Sequence, residues 1–528
     1  MIWGKKKKLE LIRKAWGKQL ERFRNMDLIS IYHNDVESIC QAEYVDDRTW
    51  SDLNLNTLFS IIDRNSSFIG QQYTYHLLRT YEKDEEILKK RFEQIELFKK
   101  NEPLREKIQL FLLSLQETNT YFIPDIILND DIPFFKYYKL LYLMVGLTII
   151  SGALIAVNGI FFFMMFGLLV FNVMVGKLFA RNINNYFSGF AGLNSLIIAA
   201  QNIGYIKTDI AVEEIDFLKT HRGLLRRLGK KLGRFVIDKS SMNEVMLAAI
   251  EYLNMFFMYD MIAYFRSVNV LKKSQAIIHE VYKAVGALDT YISIASYLEE
   301  IKNYSNPVFT SDKLLSFDNI YHPLIDGAVS NSFENLGKSA LITGSNMSGK
   351  TTFVKTLGVN AVLAQTFYFC HADKFVLPKL IVKSAIKRED DLENNKSYFF
   401  VEVEELQEFL ELSKSSDKYL FIIDEIFRGT NTVERLAAST AVLKYLDNNN
   451  FVLVTTHDIE LQELLQKRFE MLHFSELVEN NEYFFDYKIR RGPCTSGNAI
   501  KLMEIKDYPK DVITEANALV KNLLQKNQ

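Results

Sequence analysis

The clearest chemistry in this sequence lies in twelve residues, Leu341-Ile-Thr-Gly-Ser-Asn-Met-Ser-Gly-Lys-Thr-Thr352. They contain Gly344-x-x-x-x-Gly349-Lys350-Thr351, a complete phosphate-binding loop. An apolar run, Ala340-Leu341-Ile342, leads in as a strand, and a helical pattern from Phe353 to Ala364 leads out. Glycines let the backbone wrap a phosphate, and a helix N-terminus offers unpaired N–H groups and a positive dipole end. Gly344, Ser345, Asn346, Met347, Ser348, Gly349, Lys350, Thr351 and Thr352 are therefore the candidate nucleotide contacts. Lys350 would reach the β- and γ-phosphates of ATP, and the Thr351 hydroxyl would ligate Mg2+. The plain alternative is a Gly/Ser loop that happens to precede a helix. It leaves the Lys-Thr pair and both flanks unexplained.

Two later strands end in polar groups. Tyr419-Leu-Phe-Ile-Ile runs into Asp424-Glu425. Asp424 sits where a P-loop enzyme holds Mg2+, and Glu425 follows as the general base that would polarise the attacking water. Such a pair is common alone but specific when it follows a P-loop. Phe451-Val-Leu-Val-Thr-Thr leads to His457, a candidate contact to the γ-phosphate or the attacking water. Between loop and pair lies Asp390-Asp-Leu-Glu-Asn-Asn-Lys-Ser397-Tyr-Phe-Phe-Val-Glu402. In ATPases that sandwich nucleotide between two subunits, a segment placed here supplies the opposing subunit's contact. Ser397 is thus a candidate ligand acting in trans.

These groups need elements to position them. The chain has 528 residues, 48% hydrophobic and 24% charged, with a net charge of −2, which excludes a globally basic nucleic-acid binder but not a local basic patch. Cys40, Cys370 and Cys494 have neither metal spacing nor a disulfide framework. The start, Met1-Ile-Trp-Gly-Lys-Lys-Lys-Lys8, does not read as a secretory signal. From Leu140 to Gly176 no residue is charged. Two spans of about 18 residues fit that length, with Asn158-Gly159 as the turn. Lys136, Lys139, Lys177 and Arg181 flank it and put both ends on the cytoplasmic side.

The expected fold is mixed: an N-terminal all-α core and lever region interrupted by a transmembrane helical hairpin, then a C-terminal α/β P-loop ATPase domain. The expected divisions are a basic segment at 1–50, a first helical core segment at 51–135, the hairpin at 136–181, a second core and lever segment at 182–312 and the ATPase at 313–528. Within the second core segment, Asn243–Phe265 is apolar-rich, but Glu244, Glu251 and Asp260 predict a buried core helix over a third span. The basic stretch His221–Arg234 reads as a solvated turn between helices, or else as a phosphate contact to DNA or lipid headgroups.

Thr343-Gly-Ser-Asn-Met-Ser-Gly-Lys-Thr-Thr352 and Asp424-Glu-Ile-Phe-Arg-Gly-Thr-Asn-Thr432 resemble motifs of the MutS family of DNA mismatch-repair ATPases, within the ABC-type ATPases. Asp390–Phe400, Thr455-Thr-His-Asp458, Tyr487–Gly492 and Ser496–Ile500 resemble its other ATPase segments, Thr57–Arg64 with Gly70 the start of its helical core, and Tyr321-His-Pro-Leu324 the junction of core and ATPase. Ser345 stands where the family usually has proline, and Phe427 where it usually has glycine. The family's mismatch-reading domain and DNA clamp have no clear counterpart, and the apolar hairpin lies between the two core segments. The resemblance implies ATP and Mg2+ as cofactors and a homodimer through the ATPase domains. It also implies a DNA role, and without the mismatch-reading domain the DNA would be bound mainly through backbone phosphates with little preference for a mispair.

The function expected is a membrane-anchored MutS-like ATPase at the cytoplasmic membrane, with both termini in the cytoplasm, coupling closure to DNA. The alternatives are a membrane scaffold or remodelling ATPase acting on a protein or lipid, and an ABC-type transporter. Two short spans and the lack of a Leu-Ser-Gly-Gly-Gln segment before Asp424 argue against the transporter.

Overall fold

A computed structural model describes residues 2–129, 132, 134–232, 244–345, 347–386, 398–427, 430–479, 482–493, 500, 503–504 and 508–526. The chain forms two compact units. One comprises Met1–Ala42, Ile61–Leu77 and Glu93–Glu300, the other Glu43–Ser60, Leu78–Phe92 and Ile301–Gln528.

The described residues of the first unit are helical. Side chains cap where the sequence offers them: Asn25 accepts from the Leu28 N–H and Asn101 from that of Leu104, with proline in the first turn after Asn101. The helix Gln275–Glu300 is buried along most of its length and anchors the core. Its Asp289 carboxylate accepts from the Ser66 and Ser67 N–H groups, both at 2.8 Å, and from the Ser67 hydroxyl at 2.6 Å. These donors precede the helix Phe68–Arg79, so a side chain from another helix caps it. A Cβ at Gly70 would collide with that carboxylate, which requires glycine there. Asp63, buried on the same side, takes Arg22 at 2.5 Å and Arg24 at 2.8 Å.

The charge-free stretch forms helices Leu140–Leu154 and Ile160–Gly204. The Asn158 side chain accepts from the Ile160 N–H at the turn, as its position predicts. Two features differ from the expected pair of matched spans. Only Ile160–Leu178, among the described residues, is a helix long and apolar enough to cross a membrane, and Leu140–Leu154 falls short at 15 residues. The second helix runs on unbroken for 45 residues, about 68 Å at 1.5 Å per residue, because no proline or capping signal ends it after Gly176. The hairpin is inverted relative to a soluble core. Thr148, Ser151 and Asn172 face inward, with the Asn172 amide 3.4 Å from the Thr148 hydroxyl, while Ile149, Ile150, Phe163, Phe166 and Phe171 are exposed.

Two further expectations give way. Asn243–Phe265 is not one buried helix. The described chain forms Glu244–Phe257 and Tyr259–Leu271, broken at Met258 with φ +46°, and the first helix exposes apolar side chains. His221–Arg234 is not a turn. Arg222–Leu232 is a helix that buries Leu225, Leu228 and Leu232 and exposes Arg226, Arg227, Lys230 and Lys231. Leucines at three- and four-residue spacing outweigh its two glycines. Gly233 and Arg234 lie outside the described residues.

The second unit holds ten described strands: β1 Pro307–Phe309, β2 Leu315–Ile320, β3 Asn331–Leu336, β4 Ala340–Thr343, β5 Lys374–Leu377, β6 Ile381–Ala385, β7 Tyr419–Asp424, β8 Phe451–Thr456, β9 Glu470–Glu479 and β10 Glu482–Arg491. One sheet has the order β1-β5-β2-β3, and the other β10-β9-β4-β8-β7-β6. In the larger sheet β9, β4, β8, β7 and β6 are parallel, and β10 pairs antiparallel at the edge. Strands β4 and β8 are buried at every position, the near-continuous apolar run expected of a parallel sheet covered on both faces. The buried helix Lys350–Thr366 packs on β6, β7 and β8.

Candidate nucleotide site

Strand β8 lies between β4 and β7 in the sheet, although it follows both in sequence. The parallel register sets Thr343 beside Thr456 and Asp424 beside Thr455. The loop after β4, the acidic pair at the end of β7 and His457 after β8 therefore open on one edge of the sheet.

Gly349 has φ +101° and Gly344 φ +151°, backbone that side chains rarely adopt. A Cβ at Gly344 would also meet the Ser348 hydroxyl and the Phe474 carbonyl. Lys350 is buried, and its ammonium donates to the carbonyls of Gly344 at 2.8 Å and Ser345 at 2.7 Å. The hydroxyls of Ser345 and Ser348 are buried with no hydrogen-bond partner among the described residues. Unused donors in a glycine loop beside a buried ammonium suit a phosphate group. Met347 in the loop is exposed, with φ +72°, and Thr352 lines the cavity. Asn346 lies outside the described residues.

The Thr351 hydroxyl stands 3.2 Å from both Asp424 carboxylate oxygens, and the Thr455 hydroxyl donates to Asp424 Oδ1. A hydroxyl and a carboxylate side by side form a hard oxygen donor set of the kind Mg2+ takes, completed by water and phosphate. Glu425 turns sharply out of the strand with φ +59°, held by its N–H to the Thr455 carbonyl at 3.0 Å. Its carboxylate lies 3.3 Å from Nε2 of His457. Phe427 also takes positive φ, +57°, so the position where the resembled family has glycine keeps the backbone that glycine adopts most readily. Its N–H donates to the buried carboxylate of Glu402 on helix Tyr398–Leu412. Ser397, just before that helix, lies outside the described residues.

A cavity of about 530 Å3 adjoins the loop, lined by Lys350, Thr351 and Glu425 at one side and by Ile325, Phe474 and Tyr487 among apolar residues. Asn331 holds Tyr487 in place, donating to its carbonyl at 3.1 Å while accepting from the Ile489 N–H at 2.8 Å. His322 also lines the cavity. Burial, and then the Lys355 charge, push it down to about 4, so it is neutral at pH 7 and accepts from the Leu324 N–H at Nδ1. Sequence reasoning named Thr455, Glu402 and Tyr487 only inside longer segments and missed the role of each. Each acts across strands or elements, and no local spacing marks it.

A parallel sheet that presents a glycine loop at a helix N-terminus, with an acidic pair and a histidine on adjacent strand ends, has the architecture of a nucleotide-binding α/β domain. Residues 340–524 match MutS domain V. The chain is 32% identical over 259 residues to the DNA mismatch repair protein MutS of Lactobacillus delbrueckii subsp. bulgaricus, covering 47% of this chain and 30% of that protein. It is 30% identical over 254 residues to MutS of Thermus thermophilus, covering 47% and 30%. It is 27% identical over 362 residues to MutS of Lactobacillus gasseri, covering 66% and 42%. The chain thus matches less than half the length of these curated relatives.

Proposed function

We propose that the protein is a membrane-anchored ATPase of the MutS kind. The observation that carries this reading is the meeting of Lys350, Thr351, Asp424, Glu425 and His457 at one sheet edge, within a region that matches MutS domain V. ATP is the substrate. Gly344 to Thr352 bind its phosphates, with Lys350 leaving the loop carbonyls for them. Thr351 and Asp424 would hold Mg2+, which would supply positive charge against the phosphates. Glu425 orients a water molecule and accepts its proton, and His457, beside it, senses the terminal phosphate. Ser397 of a second copy completes the site, so that ATP binding pairs two ATPase domains.

Closure of that pair is coupled to DNA, gripped through its phosphates. The exposed Arg226, Arg227, Lys230 and Lys231 on one helix face support a polyanion contact. Membrane anchoring rests on the inverted hairpin. Ile160–Leu178 spans about 28 Å, close to the ~30 Å hydrocarbon thickness, and only 11% of it is buried. Its partner helix Leu140–Leu154 packs against it with polar groups turned inward, the arrangement a bilayer favours. The flanking Lys136, Lys139, Lys177 and Arg181 support a cytoplasmic side for both ends and for the ATPase.

The test is DNA binding by the detergent-extracted protein with and without ATP, across a salt series. Expected are ATP-dependent binding, a steep salt slope and equal affinity for paired and mispaired duplexes. Absence of DNA binding in both nucleotide states overturns the DNA role and favours a protein or lipid partner. A mispair preference overturns the phosphate-only reading.

A further inference from the structure

We infer that the helix Glu244–Phe257 is a third membrane-embedded element, its outward face in contact with lipid acyl chains beside the hairpin. The inference rests on the membrane-anchored reading above and extends it to a segment whose sequence predicts a buried core helix.

Three observations carry it. First, the helix is turned inside out. Val245 is 80% exposed, Tyr252 64% and Leu253 48%, and Ala248 and Ala249 are exposed between them. Positions 245, 249 and 252 recur at the i, i+4, i+7 spacing of one helix face. Ile250 is buried on the opposite side, and Leu247 and Asn254 are partly covered there. A helix that packs its outer face in water shows the reverse pattern.

Second, the helix stands against the hairpin. The helix packs against both Leu140–Leu154 and the long helix Ile160–Gly204. Its outward apolar groups therefore stand on the same helix bundle as the exposed Ile149, Ile150, Phe163 and Phe166. Apolar groups exposed together on neighbouring helices mark an interaction or membrane surface.

Third, a cationic and aromatic collar marks where the apolar phase ends. The chain breaks at Met258 and enters Tyr259–Leu271. Arg266 on that helix donates to the Tyr142 hydroxyl at 3.4 Å, and the Lys272 ammonium, just after it, lies 5.6 Å from the Phe134 ring centre. Lys136, Lys139 and the exposed Tyr137 belong to the same end of the hairpin. Lysine, arginine and tyrosine gathered there suit the headgroup level. Glu244–Phe257 packs beside Leu140–Leu154 and, with 14 residues, about 21 Å, is too short to cross a bilayer.

The test uses the full chain with Cys40→Ser and Cys494→Ser, the buried Cys370 being beyond a label's reach. Single cysteines are introduced as Tyr252→Cys, Phe163→Cys on the hairpin and Glu86→Cys in solvent. Each carries an environment-sensitive fluorophore in vesicles of phosphatidylcholine and phosphatidylglycerol. Spin-labelled phosphatidylcholine quenches from the lipid, and iodide from water. The expected result is that the Tyr252 probe is quenched by lipid to the extent of the Phe163 probe and is shielded from iodide, unlike the Glu86 probe. A Tyr252 probe that behaves like Glu86 while Phe163 is lipid-quenched overturns the inference and leaves the anchor standing. If neither is lipid-quenched, inference and anchor fall together. Shielding from iodide without lipid quenching, reversed on dilution of the protein, means that a second copy covers the face, and also overturns it. Val245→Cys is the second variant should Tyr252→Cys not fold, and the same outcomes decide.

Discussion

The Glu425 carboxylate, which lines the cavity beside the glycine loop, and the His457 ring stand 3.3 Å apart at the ends of neighbouring strands. In the proposed function one group takes a proton from water and the other orients it or reports on the phosphate. Glu425→Gln keeps the size and hydrogen bonding of the side chain and removes its basicity. It should leave ATP binding intact and lower hydrolysis by about 10²–10⁴, the range for a lost general base. His457→Ala should lower hydrolysis less. Single-turnover hydrolysis beside fluorescent-nucleotide binding measures both, and wild-type turnover in the Glu425 variant would show the base to be another group.

Thr455 orients Asp424 from behind, as its hydroxyl donates to the carboxylate that also faces Thr351. Thr455→Val preserves shape and deletes that bond. Partners of metal-holding carboxylates are typically worth 10–100-fold in metal affinity. The variant should need roughly that much more Mg2+ for half-maximal ATPase activity, while nucleotide affinity without Mg2+ stays unchanged. An unaltered Mg2+ titration would remove Asp424 from the metal site.

Asp289 satisfies three buried donors at the entrance to one core helix. Asp289→Ala leaves them without their acceptor and should cost roughly 2–4 kcal/mol of stability. Asp289→Asn, which still accepts through its carbonyl oxygen, should cost less. Denaturant midpoints in detergent check the order, and equal midpoints for all three proteins would contradict the capping role.

Two histidines in the second unit are held neutral by burial, His322 down to about 4 and His371 to about 3. Unfolding returns both to about 6.5, so the unfolded chain binds more protons than the folded one in that window. The stability these two histidines contribute should therefore fall as pH drops from about 6.5 toward 4, against an opposite contribution from Asp35 and Asp289, whose carboxyls burial raises to about 6. His371→Gln should remove one histidine's share, read as the difference in melting temperature between variant and wild type across that pH range. A difference that does not change with pH would mean that His371 is not held neutral in the folded state.

Much of the site is legible in the sequence because its chemistry is local. Glycine spacing, a Lys-Thr pair and a strand ending in Asp-Glu are fixed by backbone geometry over a few residues, so Gly344, Gly349, Lys350 and Asp424 can be read directly. The hairpin turn at Asn158-Gly159 is equally local. The helix Arg222–Leu232 is not. Its glycines argue for a turn, and the periodic Leu225, Leu228 and Leu232 outweigh them only once a packing partner buries that face.

What sequence alone determined is the inventory: a phosphate loop, an acidic pair, a histidine and a long charge-free stretch. Only the tertiary structure decided their arrangement. It inserts β8 between β4 and β7, which brings Thr455 to Asp424 and His457 to Glu425. It also turns the apolar face of Glu244–Phe257 outward. The reason is the same in both cases. Strand order and the side of a helix that meets the core depend on contacts between residues far apart in the chain, and no spacing within either segment encodes them.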